Sequence, residues 1–125
     1  MTTVASPSEP FKTRLPLAAR QEESRRILDK YPRNVPVICE RENTTREVLV
    51  DREKFLVPRD FTPPQFMHVI RKRVTLPGHQ ALYLFYGDKH EMPANTTRFE
   101  DLYARLCDED GFLYVTYARE STFGA

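Results

Sequence analysis

Tryptophan is absent from this 125-residue chain, glycine occurs only 4 times and cysteine only twice. Two cysteines, Cys39 and Cys107, are too few for a disulfide framework or a four-cysteine zinc site, so a reducing compartment is expected. Long apolar runs are missing as well. The longest, residues 81–86, falls far short of a membrane-spanning helix, and the first ten residues have neither the basic start nor the apolar stretch of a secretion signal. A cytoplasmic protein is therefore expected, and the two N-x-T sequons at Asn43 and Asn95 read as chance. Nor is there an excess of one charge: 19 Lys and Arg against 18 Asp and Glu give a formal net charge of +1. No global pull toward nucleic acid follows, and the clusters Arg71-Lys72-Arg73 and Arg25-Arg26 read as solvated helix faces.

Catalytic patterns are also lacking. His68, His79 and His90 show no metal-ligand spacing, and the chain has no P-loop, G-x-G-x-x-G or G-x-S-x-G. No enzyme activity, metal or cofactor is expected. Cys39 shares a strand face with Val37 and reads as a core thiol rather than a nucleophile.

What the chain does have is 40% hydrophobic residues with 8 Phe and 6 Tyr, enough to bury one core. Residues 1–8 read as a loose arm rich in Ser and Pro. Residues 17–30 read as an amphipathic helix with Ile27, Leu28 and Tyr31 on one face, Arg20 elsewhere, and Pro32 stopping it. Residues 35–40 form a strand apolar on both faces, so something must cover the second face, and the preceding helix is the candidate. Residues 48–50 and 54–57 form a second strand region and suggest a hairpin. A helix over 62–74 has Thr62 as N-cap, Pro63 at its first position, and Phe66, Val69, Ile70 and Val74 on one face. Pro77-Gly78 breaks it. A strand over 81–86, a polar loop over 87–93, a short helix opened by the Thr97-x-x-Glu100 capping pattern, a turn at Gly111 and a last strand over 112–118 complete the chain.

Hairpin, helix, strand, short helix, strand is the order of a ubiquitin-like β-grasp: an α+β fold with a mixed sheet wrapped on one helix. The ending Phe123-Gly124-Ala125 follows a polar stretch. It suits a frayed terminus and equally a tail threaded into another enzyme's narrow active site, where glycine permits close approach.

Several motifs in fixed order carry a resemblance: Glu9-Pro-Phe11, Lys30-Tyr-Pro32, Val35-Pro-Val-Ile38, Lys54-Phe-Leu-Val-Pro58, Gln65-Phe66, Ile70-Arg-Lys-Arg73, Leu113-Tyr114, Tyr117 and Glu120-Ser-Thr-Phe-Gly124. Over residues 8–125 the chain resembles the autophagy ubiquitin-like modifiers, the GABARAP and microtubule-associated light-chain (autophagy-related eight) family. The resemblance implies a four-stranded β-grasp with two extra N-terminal helices. It divides the chain into an arm (1–8), a helical extension (9–32), the ubiquitin-like core (33–118) and a conjugation tail (119–125). Between Phe11 and Glu23 the chain is six residues longer than the commonest spacing in that family, and Asn34 stands where some members carry a basic residue.

The implied function is that of a modifier, monomeric before lipidation. A cysteine protease would cut after Gly124 and release Ala125. Activating-type and conjugating-type enzymes would then join Gly124 to phosphatidylethanolamine on autophagosomal membrane. Receptors and adaptors carrying an aromatic-x-x-aliphatic motif would add a strand beside Lys54 and Leu56. The implied aromatic pocket is Glu23, Ile27, Pro36, Ile38, Lys54, Leu56 and Phe112. The implied aliphatic pocket is Phe55, Val57, Pro58, Phe61, Phe66 and Val69, with Arg73 facing an acidic ligand residue. Tyr83, Leu84 and Phe85 correspond to a second docking surface in that family, and suit the core equally well. The alternative is a ubiquitin-like interaction domain that is never conjugated.

Overall fold

The computed structural model describes residues 9–42, 49–50, 52–75 and 81–119. The arm over 1–8, Val48, the Pro77-Gly78 break and the tail with Gly124 and Ala125 lie outside the described residues. Ten elements follow in order: α1 (Phe11–Arg14), α2 (Leu17–Lys30), β1 (Asn34–Arg41), β2 (Leu49–Val50), β3 (Lys54–Pro58), α3 (Pro63–Arg71), β4 (Val74–Thr75), β5 (Leu82–Tyr86), α4 (Phe99–Leu106) and β6 (Leu113–Arg119).

The main sheet runs β3-β1-β6-β5. β1 pairs antiparallel with β3 and parallel with β6, and β5 pairs antiparallel with β6. A mixed sheet of this kind needs a crossover between β1 and β6, and the chain through α3 and α4 provides it. The fold is an α+β, ubiquitin-like β-grasp with two added N-terminal helices.

Strand β1 explains why both are needed. Its odd residues Val35, Val37 and Cys39 enter the main core with Phe55, Val57, Phe66, Ile70, Phe99 and Leu102. Ile38 points the other way, into a second cluster with Phe11 of α1 and Phe112, against which Leu15, Ile27 and Tyr114 pack. Alternation puts consecutive side chains on opposite faces, and here both faces are covered. Pro36 has no N–H to give, and it precedes the first β1–β6 pair, Val37 with Leu113.

Four local expectations are corrected. Only 54–58 forms the hairpin with β1, whereas Leu49–Val50 pairs with Val74–Thr75 in a separate two-stranded sheet. Helix α3 accordingly ends at Arg71, and Val74 is strand rather than helix face. Thr97 does not open α4. Its N-cap is Arg98 with no side-chain cap bond, because the Phe99 and Glu100 N–H groups donate to the carbonyls of Phe61 (2.8 Å) and Arg59 (2.9 Å). The face of α2 that docks is marked by buried Arg20 and Ser24, with Ile27 half-buried, while Tyr31 is 40% exposed. Thr62 does act as expected: its N–H donates to Gln65 Oε1 at 2.8 Å, with proline at the start of α3.

Candidate functional site at the edge of β3

The Arg33-to-Arg59 and Cys39-to-Glu53 backbone bonds bracket the β1–β3 ladder. Arg59 N donates to Arg33 O at 3.1 Å, and Cys39 N donates to Glu53 O at 2.7 Å. Both pairs join odd-numbered residues in the register that runs through β1 and β3. Because bonded and non-bonded pairs alternate along an antiparallel ladder, Phe55 and Val57 face β1 through their backbone groups. The N–H and C=O of Lys54 and Leu56 therefore point to the open edge, for β3 is the last strand of its sheet among the described residues.

Side chains alternate in the same way. Phe55 (8% exposed) and Val57 (2%) enter the main core, and the Phe55 ring meets Phe66 edge-on at 5.6 Å. Leu56 is 42% exposed, one of three exposed large hydrophobic residues among those described. Around this edge Ile27, Val37, Arg52, Lys54, Phe55, Leu56, Val69, Arg73 and Phe112 line a concavity of about 470 Å³. It joins members of both implied pockets: Ile27, Lys54, Leu56 and Phe112 from the aromatic set, and Phe55, Val69 and Arg73 from the aliphatic set.

The remaining nominated residues lie around it. Glu23 does not line the concavity but accepts from Lys54 Nζ at 2.5 Å. Pro36 and Ile38 are buried opposite Leu56 and Lys54 in the β1–β3 register. Val57 and Phe66 are core, while Pro58 and Phe61 are half-buried at the end of β3 and just after it. Leu84 is buried on β5, with Tyr83 and Phe85 half-buried beside it. Tyr83 and Leu84, with Pro63, Pro64, Met67, Met92 and others, line a second concavity of about 280 Å³ at the opposite sheet edge.

Three contributors lie outside the nominated residues, one of them Val37, a buried β1 residue that also lines the concavity. Arg52 lines the concavity two residues before Lys54, a period-2 spacing that could have nominated it. Phe11 lies beneath Lys54, whose Nζ sits 5.1 Å from the ring centroid, and nothing in the local sequence marks that contact.

Both thiols are held above the ordinary cysteine value. Cys39 is fully buried, and burial, with the Glu40 charge, pushes its thiol well up, away from the nucleophilic thiolate. Cys107 follows α4 and is exposed; partial desolvation and then the charges of Asp108 and Asp110 also raise its thiol. Among the described residues no group of three or more His, Cys, Asp or Glu side chains could hold a metal ion. No helix among them is long and apolar enough to cross a membrane.

Comparison with known proteins bears on the family and the fold. The family described as "Autophagy protein Atg8 ubiquitin like" matches residues 19–124. The chain is 43% identical over 114 residues to Autophagy-related protein 8 of Candida glabrata, covering 91% of this chain and 95% of that protein. It is 44% identical over 114 residues to Autophagy-related protein 8c of Arabidopsis thaliana, covering 91% and 94%. The crystal structure of Trypanosoma brucei ATG8 superposes with a TM-score of 0.81 at 36% identity, over 93% of this chain and 98% of that one. With its fold shared with that structure and most of its length matched by the family and by these relatives, this chain belongs to the Atg8 family of ubiquitin-like autophagy proteins.

Proposed function

We propose that this protein is a conjugated modifier and not itself a catalyst: it is cut after Gly124, joined there to phosphatidylethanolamine, and recruits motif-bearing receptors through the β3 edge. The observation that carries the recruiting half is the coincidence of outward backbone groups at Lys54 and Leu56 with a concavity touching both implied pockets. An extended peptide would bond to the edge and place alternate side chains in the two halves of the concavity. Exposed Leu56 would lie between them.

The conjugating half rests on the ending Phe123-Gly124-Ala125 together with family membership. The last described strand stops at Arg119, five residues before Gly124. A protease would release Ala125 by hydrolysis, freeing the Gly124 carboxylate. An activating-type enzyme would adenylate it with ATP, releasing pyrophosphate, and an enzyme thiol would displace AMP to give a thioester. Transfer between thiols would carry it to the lipid amine, forming an amide and freeing a thiol. Two acyl chains then hold the protein on the membrane, since each buried CH₂ contributes ~0.8 kcal/mol and one chain alone anchors marginally. In this reading the protein is cytoplasmic and monomeric until lipidated, lies on autophagosomal membrane afterwards, and uses no cofactor of its own.

The test is incubation with cytosolic extract, ATP and phosphatidylethanolamine liposomes, followed by mass analysis of the C-terminal peptide. Loss of Ala125 and a lipid adduct on Gly124 are expected, and Gly124→Ala should abolish the adduct. An unmodified C-terminus in an extract that lipidates another family member would instead favour the unconjugated interaction domain.

A further inference from the structure

Helix α1 does not line the concavity at β3, yet one of its side chains bears on two residues that do. Phe11 is 1% exposed. Its ring meets Phe112 edge-on at 5.4 Å, and Lys54 Nζ lies 5.1 Å from its centroid while bonding Glu23. Ile27, a third lining residue, packs on the same cluster of Phe11, Ile38 and Phe112. The aliphatic half of the concavity is built differently. Phe55 and Val69 belong to the main core, whose buried and packed members do not include Phe11.

Helix α1 is held onto the domain from three sides. Phe11 N donates to Glu40 Oε2 at 2.7 Å, Arg14 Nη2 pairs with Glu53 and Lys12 Nζ with Asp108, each at 2.5 Å. Glu53 immediately precedes Lys54. The clamp on α1 therefore ends beside the groove residue that the Phe11 ring supports.

From this arrangement we infer that Phe11 is a positioning residue for the aromatic half of the groove: it holds Phe112 and Lys54 in place, so the docking of α1 sets selectivity at that half and leaves the aliphatic half alone. The inference rests on the proposed binding of aromatic-x-x-aliphatic peptides and adds what tunes it. With Phe11 removed, Phe112 loses its ring partner and Lys54 the aromatic face beneath it. Both are then free to shift, and an incoming aromatic side chain meets a poorly fixed floor.

The experiment uses the full chain and three acidic synthetic peptides: a parent Trp-x-x-Leu peptide, one with Ala for Trp, and one with Ala for Leu. Dissociation constants are measured by titration for the wild type, Phe11→Ala, Phe11→Leu and Arg14→Gln, each checked first by thermal melt. In Phe11→Ala the preference for Trp over Ala should shrink by roughly three- to tenfold, the loss expected for an aromatic contact. The preference for Leu over Ala should stay at its wild-type value. Arg14→Gln, which loosens α1 without opening the cluster, should shift the Trp preference in the same direction by less. If Phe11→Ala does not fold, Phe11→Leu, which keeps the site filled but removes the ring, carries the test. Folded variants with an unchanged Trp preference, or with both preferences falling together, overturn the inference. A wild-type protein that binds none of the peptides overturns the reading beneath it instead.

Discussion

Arg20 Nε donates to Asp110 Oδ2 at 2.8 Å, joining helix α2 to the turn before β6 across 90 residues of chain, with side chains 8% and 0% exposed. Neither charge is left wanting. Arg20 Nη1 also donates to the carbonyls of Leu15 (2.7 Å) and Lys12 (3.2 Å), and Asp110 accepts from Tyr114 Oη (2.6 Å) and Phe112 N (2.8 Å). One guanidinium therefore ties α1, α2 and the sheet together. Truncating one partner leaves the other buried and uncompensated, so Arg20→Ala should destabilise the domain by about 3–5 kcal/mol. Chemical denaturation checks this, and a loss below about 1 kcal/mol would assign the pair a minor role.

The same turn contains Gly111, at φ +88°. A Cβ there would lie 2.3 Å from Ser24 Oγ, which cannot easily retreat because it donates to Asp110 O at 2.6 Å. Gly87 also has a positive φ, +78°, but a Cβ would meet only Leu106 at 3.4 Å. Both alanine variants carry the backbone strain of an L residue in this region, roughly 1–2 kcal/mol. Gly111→Ala should lower Tm clearly more than Gly87→Ala, and equal losses would show that Ser24 yields without cost.

Asp108 gives a pH dependence. Partial burial alone would raise its carboxyl, but hydrogen bonds from Lys12 and from the Asp110 N–H, with the charges of Lys12 and Arg20, bring it below the ordinary 3.8. A carboxylate depressed on folding adds stability above its unfolded value, and that stability disappears as pH falls through the folded one. Lys12→Gln should move the Asp108 titration upward in a carboxyl-detected NMR experiment and reduce the wild-type advantage mainly above pH 3.8. An Asp108 titration unchanged by Lys12→Gln would contradict the assignment.

Within the groove, Leu56 and Lys54 should fail differently. Leu56→Ala removes apolar wall and should weaken an aromatic-x-x-aliphatic peptide equally at low and high salt. Lys54→Ala removes a charge that is 43% exposed in its side chain, so its effect should fade as salt screens it. Titrations at two ionic strengths separate them, and matching salt dependence would refute this division. Phe55→Ala is a poor groove probe: Phe55 is nearly buried against Phe66, and its loss should cost ~3–5 kcal/mol of stability.

The legible parts of the sequence were those governed by neighbours in the chain. Thr62-Pro63 announces α3 because capping acts over three residues, and the two apolar faces of β1 demand cover on both sides. The Thr97 pattern misled because carbonyls of Arg59 and Phe61, far away in sequence, take the role a side-chain cap would have filled. Arg20 reads as a surface charge until its partner, 90 residues later, is placed beside it. The pairing of 49–50 with 74–75 was hidden for the same reason, since two-residue strands have no period to read. At the groove, the resemblance nominated residues from both sides of β3. Burial then distinguishes Leu56 and Lys54, which are exposed, from Ile38, Val57 and Phe66, which are buried and do not line the concavity.

Amide hydrogen exchange at Lys54 and Leu56, with and without a saturating aromatic-x-x-aliphatic peptide, tests strand addition at the β3 edge most directly. Both N–H groups point away from β1, so the peptide should slow their exchange markedly, while Phe55 and Val57, already facing β1, should change much less. Unchanged exchange at Lys54 and Leu56 under saturation, or protection confined to β5, would contradict it.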